Sequence, residues 1–74
     1  MSGLNTLKRI VLETLDELGD ISTDELIGYL QSKGITSATA MDIRKAISQL
    51  IRDGVIIKIP DTRKKKFVLR LKHA

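Results

Sequence analysis

The stretch Ile43-Arg44-Lys45-Ala46-Ile47-Ser48-Gln49-Leu50-Ile51-Arg52-Asp53-Gly54-Val55-Ile56 decides the fold, because two periodicities meet inside it. Ile43, Ala46, Ile47, Leu50 and Ile51 recur at three- and four-residue spacing, which puts them on one side of an α-helix. Arg44, Lys45, Ser48, Gln49 and Arg52 fall on the other side, so the helix has an apolar back and a basic, polar front. Asp53-Gly54 closes it, since glycine takes the left-handed conformation that other residues resist. Beyond Gly54 the period drops to that of a strand. Val55-Ile56-Ile57-Lys58-Ile59 is a β-rich run ended by the only proline, Pro60. Phe67-Val68-Leu69-Arg70-Leu71-Lys72 alternates, with Phe67, Leu69 and Leu71 expected inward and Val68, Arg70 and Lys72 outward. Asp61 to Lys66 is a polar connection, so the two runs read as an antiparallel hairpin with a basic tip.

Working back from Ile43, Thr39 with Asp42 three residues later forms a helix cap, with Thr36 or Ser37 as alternatives, and the helix spans about 39–53. Ser22 and Glu25 have the spacing of a capping box, in which each side chain satisfies an orphaned backbone amide. Leu26, Ile27 and Leu30 then line one face of a second helix that ends at Lys33-Gly34. Ile21, just before the cap, serves as a hydrophobic staple or as a one-residue strand. Leu4, Leu7, Val11, Leu15 and Leu18 set a first helix over about 4–18, stopped by Gly19. Leu4, Ile10 and Leu12 widen its apolar stripe beyond what a small core requires and form a candidate dimer surface.

The 74 residues are read as one domain, and their formal net charge of +4 conceals a division. Residues 1–43 hold three bases against seven acids, whereas residues 44–74 hold ten bases against two acids. A scaffold of net −4 therefore precedes a segment of net +8, the pattern of an oriented anion-binding face. With no cysteine there is no disulfide framework and no thiolate ligand, and the only histidine is the penultimate residue, His73. No metal site, cofactor or small-molecule ligand is expected. No apolar run approaches the roughly 20 residues of a membrane span. No nucleophile has an activating base in view, so an enzyme is not expected.

Helix, capped helix, third helix and hairpin, in this order and at these lengths, resemble the winged helix-turn-helix domain over essentially the whole chain. The expected fold class is therefore α+β, three helices followed by a two-stranded wing. The segment from Ile43 to Ile56 is similar to the recognition helix and first wing strand of many bacterial and archaeal regulators. Lys58-Ile59-Pro60-Asp61-Thr62-Arg63 resembles the wing of the multiple-antibiotic-resistance (MarR) family. Three departures stand out. The chain has no residues for that family's long dimerisation helices, its wing arginines are mostly lysines, and the connection from Gly34 to Ile43 exceeds a tight turn. It looks like a minimal winged helix of the archaeal or viral type.

The resemblance implies double-stranded DNA binding by a small transcriptional regulator, a cytoplasmic, nucleoid-associated homodimer. A major groove admits one helix and is flanked by phosphates, which suits an apolar back and a basic front. Arg44 and Gln49 can each pair with a purine edge, while Lys45, Ser48 and Arg52 lie beside them. Ser37 and Thr39 are phosphate candidates beside helix N-terminal amides. In the wing, over 61–66, Arg63 is placed to enter the minor groove and Lys64, Lys65 and Lys66 to follow the backbone. Four adjacent cations are expected to repel one another without folding benefit. The alternatives are a winged-helix protein-interaction module and a non-specific architectural or RNA-binding protein. Single-strand binding lacks aromatic platforms, with Tyr29 expected in the core or an interface and Phe67 in wing packing.

Overall fold

Apolar stripes at helical spacing need a common surface to bury, and in the computed structural model, which describes residues 3–72, three helices and a hairpin supply it. The helices are α1 (Gly3–Leu18), α2 (Thr23–Ser32) and α3 (Ala40–Arg52), and the strands are β1 (Ile56–Asp61) and β2 (Lys66–Leu71). This is the expected α+β winged-helix layout. His73 lies outside the described residues. Among the described residues no helix is long and apolar enough to cross a membrane.

The core joins Leu7, Val11 and Leu15 of α1, Leu26, Ile27 and Leu30 of α2, and Ile43, Ala46, Ile47 and Leu50 of α3 with Ile56 and Leu69 of the strands. Each fully buried aliphatic side chain of this kind contributes about 1.5–3 kcal/mol relative to exposure. Four residues of α3 enter the core, which fixes the rotation of that helix and so decides which of its side chains face outward. Leu4, Ile10 and Leu12 are partly buried and packed against the same core, so the flank of α1 is less surplus than its sequence implies. The large apolar side chains that remain exposed lie elsewhere, at Leu18, Ile35, Met41, Val55, Ile57 and Phe67.

β1 and β2 pair antiparallel from Ile56↔Leu71 to Asp61↔Lys66. Ile21 adds a one-residue strand to the other edge of β2. Its N–H donates to the Leu69 carbonyl at 3.4 Å, and the Leu69 N–H donates back to the Ile21 carbonyl at 2.7 Å. β2 is thus paired on both edges at Leu69. The expected alternation is corrected at two positions: Val68, expected outward, is 5% exposed, and Phe67, expected in wing packing, is 55% exposed. Phe67 pairs with Pro60 next to the tip, beyond the reach of the helices, and the Lys58 ammonium sits 5.5 Å from its ring centre.

The caps form with one exchange of roles. Thr39 and Asp42 make the complete reciprocal box, each side chain accepting from the other residue's backbone amide. Ser22 accepts from the Glu25 amide at 3.2 Å, but the Glu25 carboxylate accepts from the Ser22 hydroxyl at 2.9 Å and not from the Ser22 amide. The expected double box at Ser22 is therefore half formed, because Glu25 is also drawn toward the wing.

α3 ends in a Schellman motif. The Val55 N–H donates to the Leu50 carbonyl at 2.9 Å and the Gly54 N–H to the Ile51 carbonyl at 3.1 Å. This requires φ of 78° at Gly54, which turns the chain from α3 into β1. A Cβ there meets nothing within 4 Å, so Gly54→Ala isolates the backbone strain. The expected loss is about 1–2 kcal/mol, read as a lower midpoint in denaturant titration at unchanged slope; an unchanged midpoint would contradict the assignment.

Candidate nucleic-acid interface

With Ile43, Ala46, Ile47 and Leu50 facing inward, Lys45, Ser48 and Arg52 fall on the opposite side of α3 and are exposed. Met41 belongs to the same outward stripe and is 75% exposed. Met41 was not among the residues expected at the interface, although its helical spacing from Lys45, Ser48 and Arg52 signals the same face. Gln49 is half-buried on one shoulder of the stripe, and Arg44 is exposed on the other. At the entry to α3, Ser37 is exposed and Thr39 uses its hydroxyl oxygen to accept from Asp42. The Ala38 amide donates to the Thr36 hydroxyl at 3.1 Å, which bends the chain just before the cap. A groove of about 540 Å³ opens beside this entry, bordered by Leu4, Leu7 and Ile10 of α1 and by Ser37, Asp42 and Lys45.

The wing tip is an ordered turn. The Asp61 carboxylate accepts from the Arg63 amide at 3.0 Å and the Lys64 amide at 3.2 Å, the side-chain mimicry of a backbone turn that aspartate favours. Lys65 completes it with φ of 55°, an uncommon conformation for a side chain with a Cβ.

The acids at the start of α2 join these two parts. The Arg44 guanidinium donates from Nη2 to Asp24 Oδ1 at 2.7 Å. The ammonium groups of Lys64 and Lys66 lie 3.7 and 3.3 Å from Glu25 Oε1. Adjacent residues of one helical turn therefore collect a cation of α3 and two of the wing. This corrects the expectation of four mutually repelling bases, because Lys64 and Lys66 share an anion supplied by a distant part of the chain. Among the described residues, Lys45, Arg52, Arg63 and Lys65 have no ion pair within 4.0 Å. Ahead of α2, Asp20 binds the Arg70 guanidinium, whose Nε lies 3.0 and 3.1 Å from its two carboxylate oxygens. Lys8 reaches Asp53 at 3.8 Å, behind the candidate face.

No family model, curated protein or solved structure matches the chain.

Hydrogen bonds from the Ser22 hydroxyl and then Lys66 hold the Glu25 carboxyl below its ordinary value of 4.5. Hydrogen bonding from Arg70 holds Asp20 below 3.8, and the same contact raises Arg70. Because the folded carboxyls are the stronger acids, the unfolded chain takes up protons first. The pairs therefore stabilise fully above the ordinary carboxylate values and lose that contribution as pH falls through the lowered ones. Thermal melts from neutral pH down through 4.5 and 3.8 are expected to show this acid limb. In Glu25→Gln its upper part is expected to be shallower; identical limbs in both proteins would contradict the role given to Glu25.

Proposed function

We propose that this protein binds double-stranded DNA through the outward stripe of α3 and the tip of the wing, and acts as a small transcriptional regulator. The observation that carries the proposal is the junction at Asp24 and Glu25, which gathers Arg44 of α3 and Lys64 and Lys66 of the wing, while Lys45, Arg52, Arg63 and Lys65 of the same two elements have no ion pair among the described residues. Two separate elements thereby contribute to one basic face.

The chemistry follows from the side chains. A helix of α3's length extends about 20 Å at 1.5 Å per residue, and the major groove is about 12 Å wide. Its apolar back is consumed by the core, leaving Met41, Lys45, Ser48 and Arg52 to enter first. Arg44 suits guanine and Gln49 suits adenine, each by paired hydrogen bonds, and the exposed Met41 side chain suits a thymine methyl. Lys45, Arg52 and the wing lysines neutralise phosphates, while Ser37 and Thr39 donate to phosphates near the amides at the start of α3. Arg63 is the wing residue suited to a narrow minor groove, where negative potential is concentrated.

One such domain contacts few base pairs, so useful selectivity calls for two half-sites and a homodimer. The proposed contact is the part of the α1 flank at Leu4, Ile10 and Leu12 that packing against the core leaves uncovered. A regulator of this kind resides on the nucleoid. Sedimentation of the free protein is expected to shift toward the dimer mass with concentration, and a constant monomer mass would remove this part.

The decisive test is duplex binding by fluorescence anisotropy over a salt series. Each neutralised phosphate contributes a log–log slope of roughly −0.9. Lys45→Glu and Lys65→Glu, which break no ion pair of the fold, are each expected to weaken binding by tenfold or more and to flatten the slope by about one. Wild-type protein that fails to bind a duplex at low salt, or a slope untouched by both variants, would overturn the proposal in favour of a protein partner. Equal affinity for selected and random duplex would leave an architectural role.

A further inference from the structure

A carboxylate paired with a cation of the proposed duplex-binding face opposes the phosphates that the face would meet. Asp24 lies in the first turn of α2, where any acid gains from the helix dipole. That accounts for a negative charge but not for its contact with a residue of another helix. Asp24 accepts from Arg44 across 20 residues of sequence, and the two side chains are 83% and 56% exposed. A pair so open to water contributes little to stability.

The geometry points to a different use. Arginine has five N–H donors in a fixed planar fork. Holding one of them through Nη2 restricts where the others can aim, and leaves them available for the two acceptors of a guanine edge. The same carboxylate opposes phosphate, so the alternative in which Arg44 swings to the backbone is penalised by charge. We infer that Asp24 is a positioning residue, one that orients Arg44 for base readout and suppresses its collapse onto phosphate. The inference rests on the duplex-binding proposal above. Glu25 differs because it holds two flexible lysines, point charges with no plane to orient.

The test is a double-mutant cycle read as discrimination, the ratio of Kd for a scrambled duplex to Kd for a duplex of equal length selected from a random pool by the wild-type protein. Asp24→Ala is expected to bind the scrambled duplex more tightly and to lower the ratio by about fivefold or more, the scale of one lost bidentate base contact. Arg44→Ala is expected to lower the ratio similarly, and the double variant no further than Arg44→Ala alone. Asp24→Asn, nearly isosteric, provides a second variant and is expected to follow Asp24→Ala in direction. An unchanged ratio in both Asp24 variants, or additive losses in the double variant, would overturn the inference and reduce Asp24 to a charge at a helix start. If the wild-type protein binds neither duplex, the failure belongs to the proposed function; if it binds the selected duplex and the cycle is additive, only the positioning role falls.

Discussion

The pairing of Ile21 with Leu69 is the interaction on which the rest of the architecture depends. Two backbone hydrogen bonds fasten the connection between α1 and α2 to the middle of β2, and the hairpin is thereby held at a defined place against the helices. An isolated two-stranded hairpin is marginal in water, so a third partner and a helical surface are what make the wing a fixed element. Leu69 is fully buried at this point, and Ile56, two residues along β1 from its cross-strand partner Lys58, is nearly so. Around the bridge the chain places four side chains in sequence: Asp20 on Arg70, Ser22 on the α2 cap, Asp24 on Arg44 and Glu25 on the wing lysines. A single short segment thus touches both elements of the candidate face, while the core fixes the rotation of α3.

This alters the meaning of the charge division along the chain. Acids in the first half and bases in the second suggest a scaffold and a binding surface that merely coexist. In the fold they interlock, with Asp20, Asp24 and Glu25 each meeting a base from beyond residue 43. Three of the ten bases in the second half touch the first turn of α2, so the cationic face is partly neutralised from within. Such pairs are weak individually at the surface. Their consequence is geometric, because they limit where flexible cations rest before a ligand arrives.

What could be read from the residues follows the range of the interactions involved. The bounds of all three helices, the cap at Thr39, the stop at Gly54 and the hairpin over Ile56–Leu71 come from neighbours within a few positions, and local patterns report them well. The outward set Lys45, Ser48 and Arg52 was legible for the same reason. The exposures of Val68 and Phe67 were not, because they depend on which distant parts of the chain cover each face of the hairpin, and local alternation does not carry that. The half-formed box at Ser22 and the neutralised lysines at Glu25 share that cause: each needs α2 and the wing to meet. Met41 was missed through residue type rather than range, since an apolar side chain is ordinarily assigned inward.

We propose that α3 and the wing tip form one duplex-binding face. The measurement that tests it most directly is an amide chemical-shift map of the isotope-labelled protein titrated with a selected duplex. The largest shifts are expected on Ser37 to Arg52 and on Thr62 to Lys66, with Glu25 moving as its lysines are drawn to phosphate. Shifts centred instead on Leu18, Val55 and Ile57, or confined to one of the two elements, would contradict it.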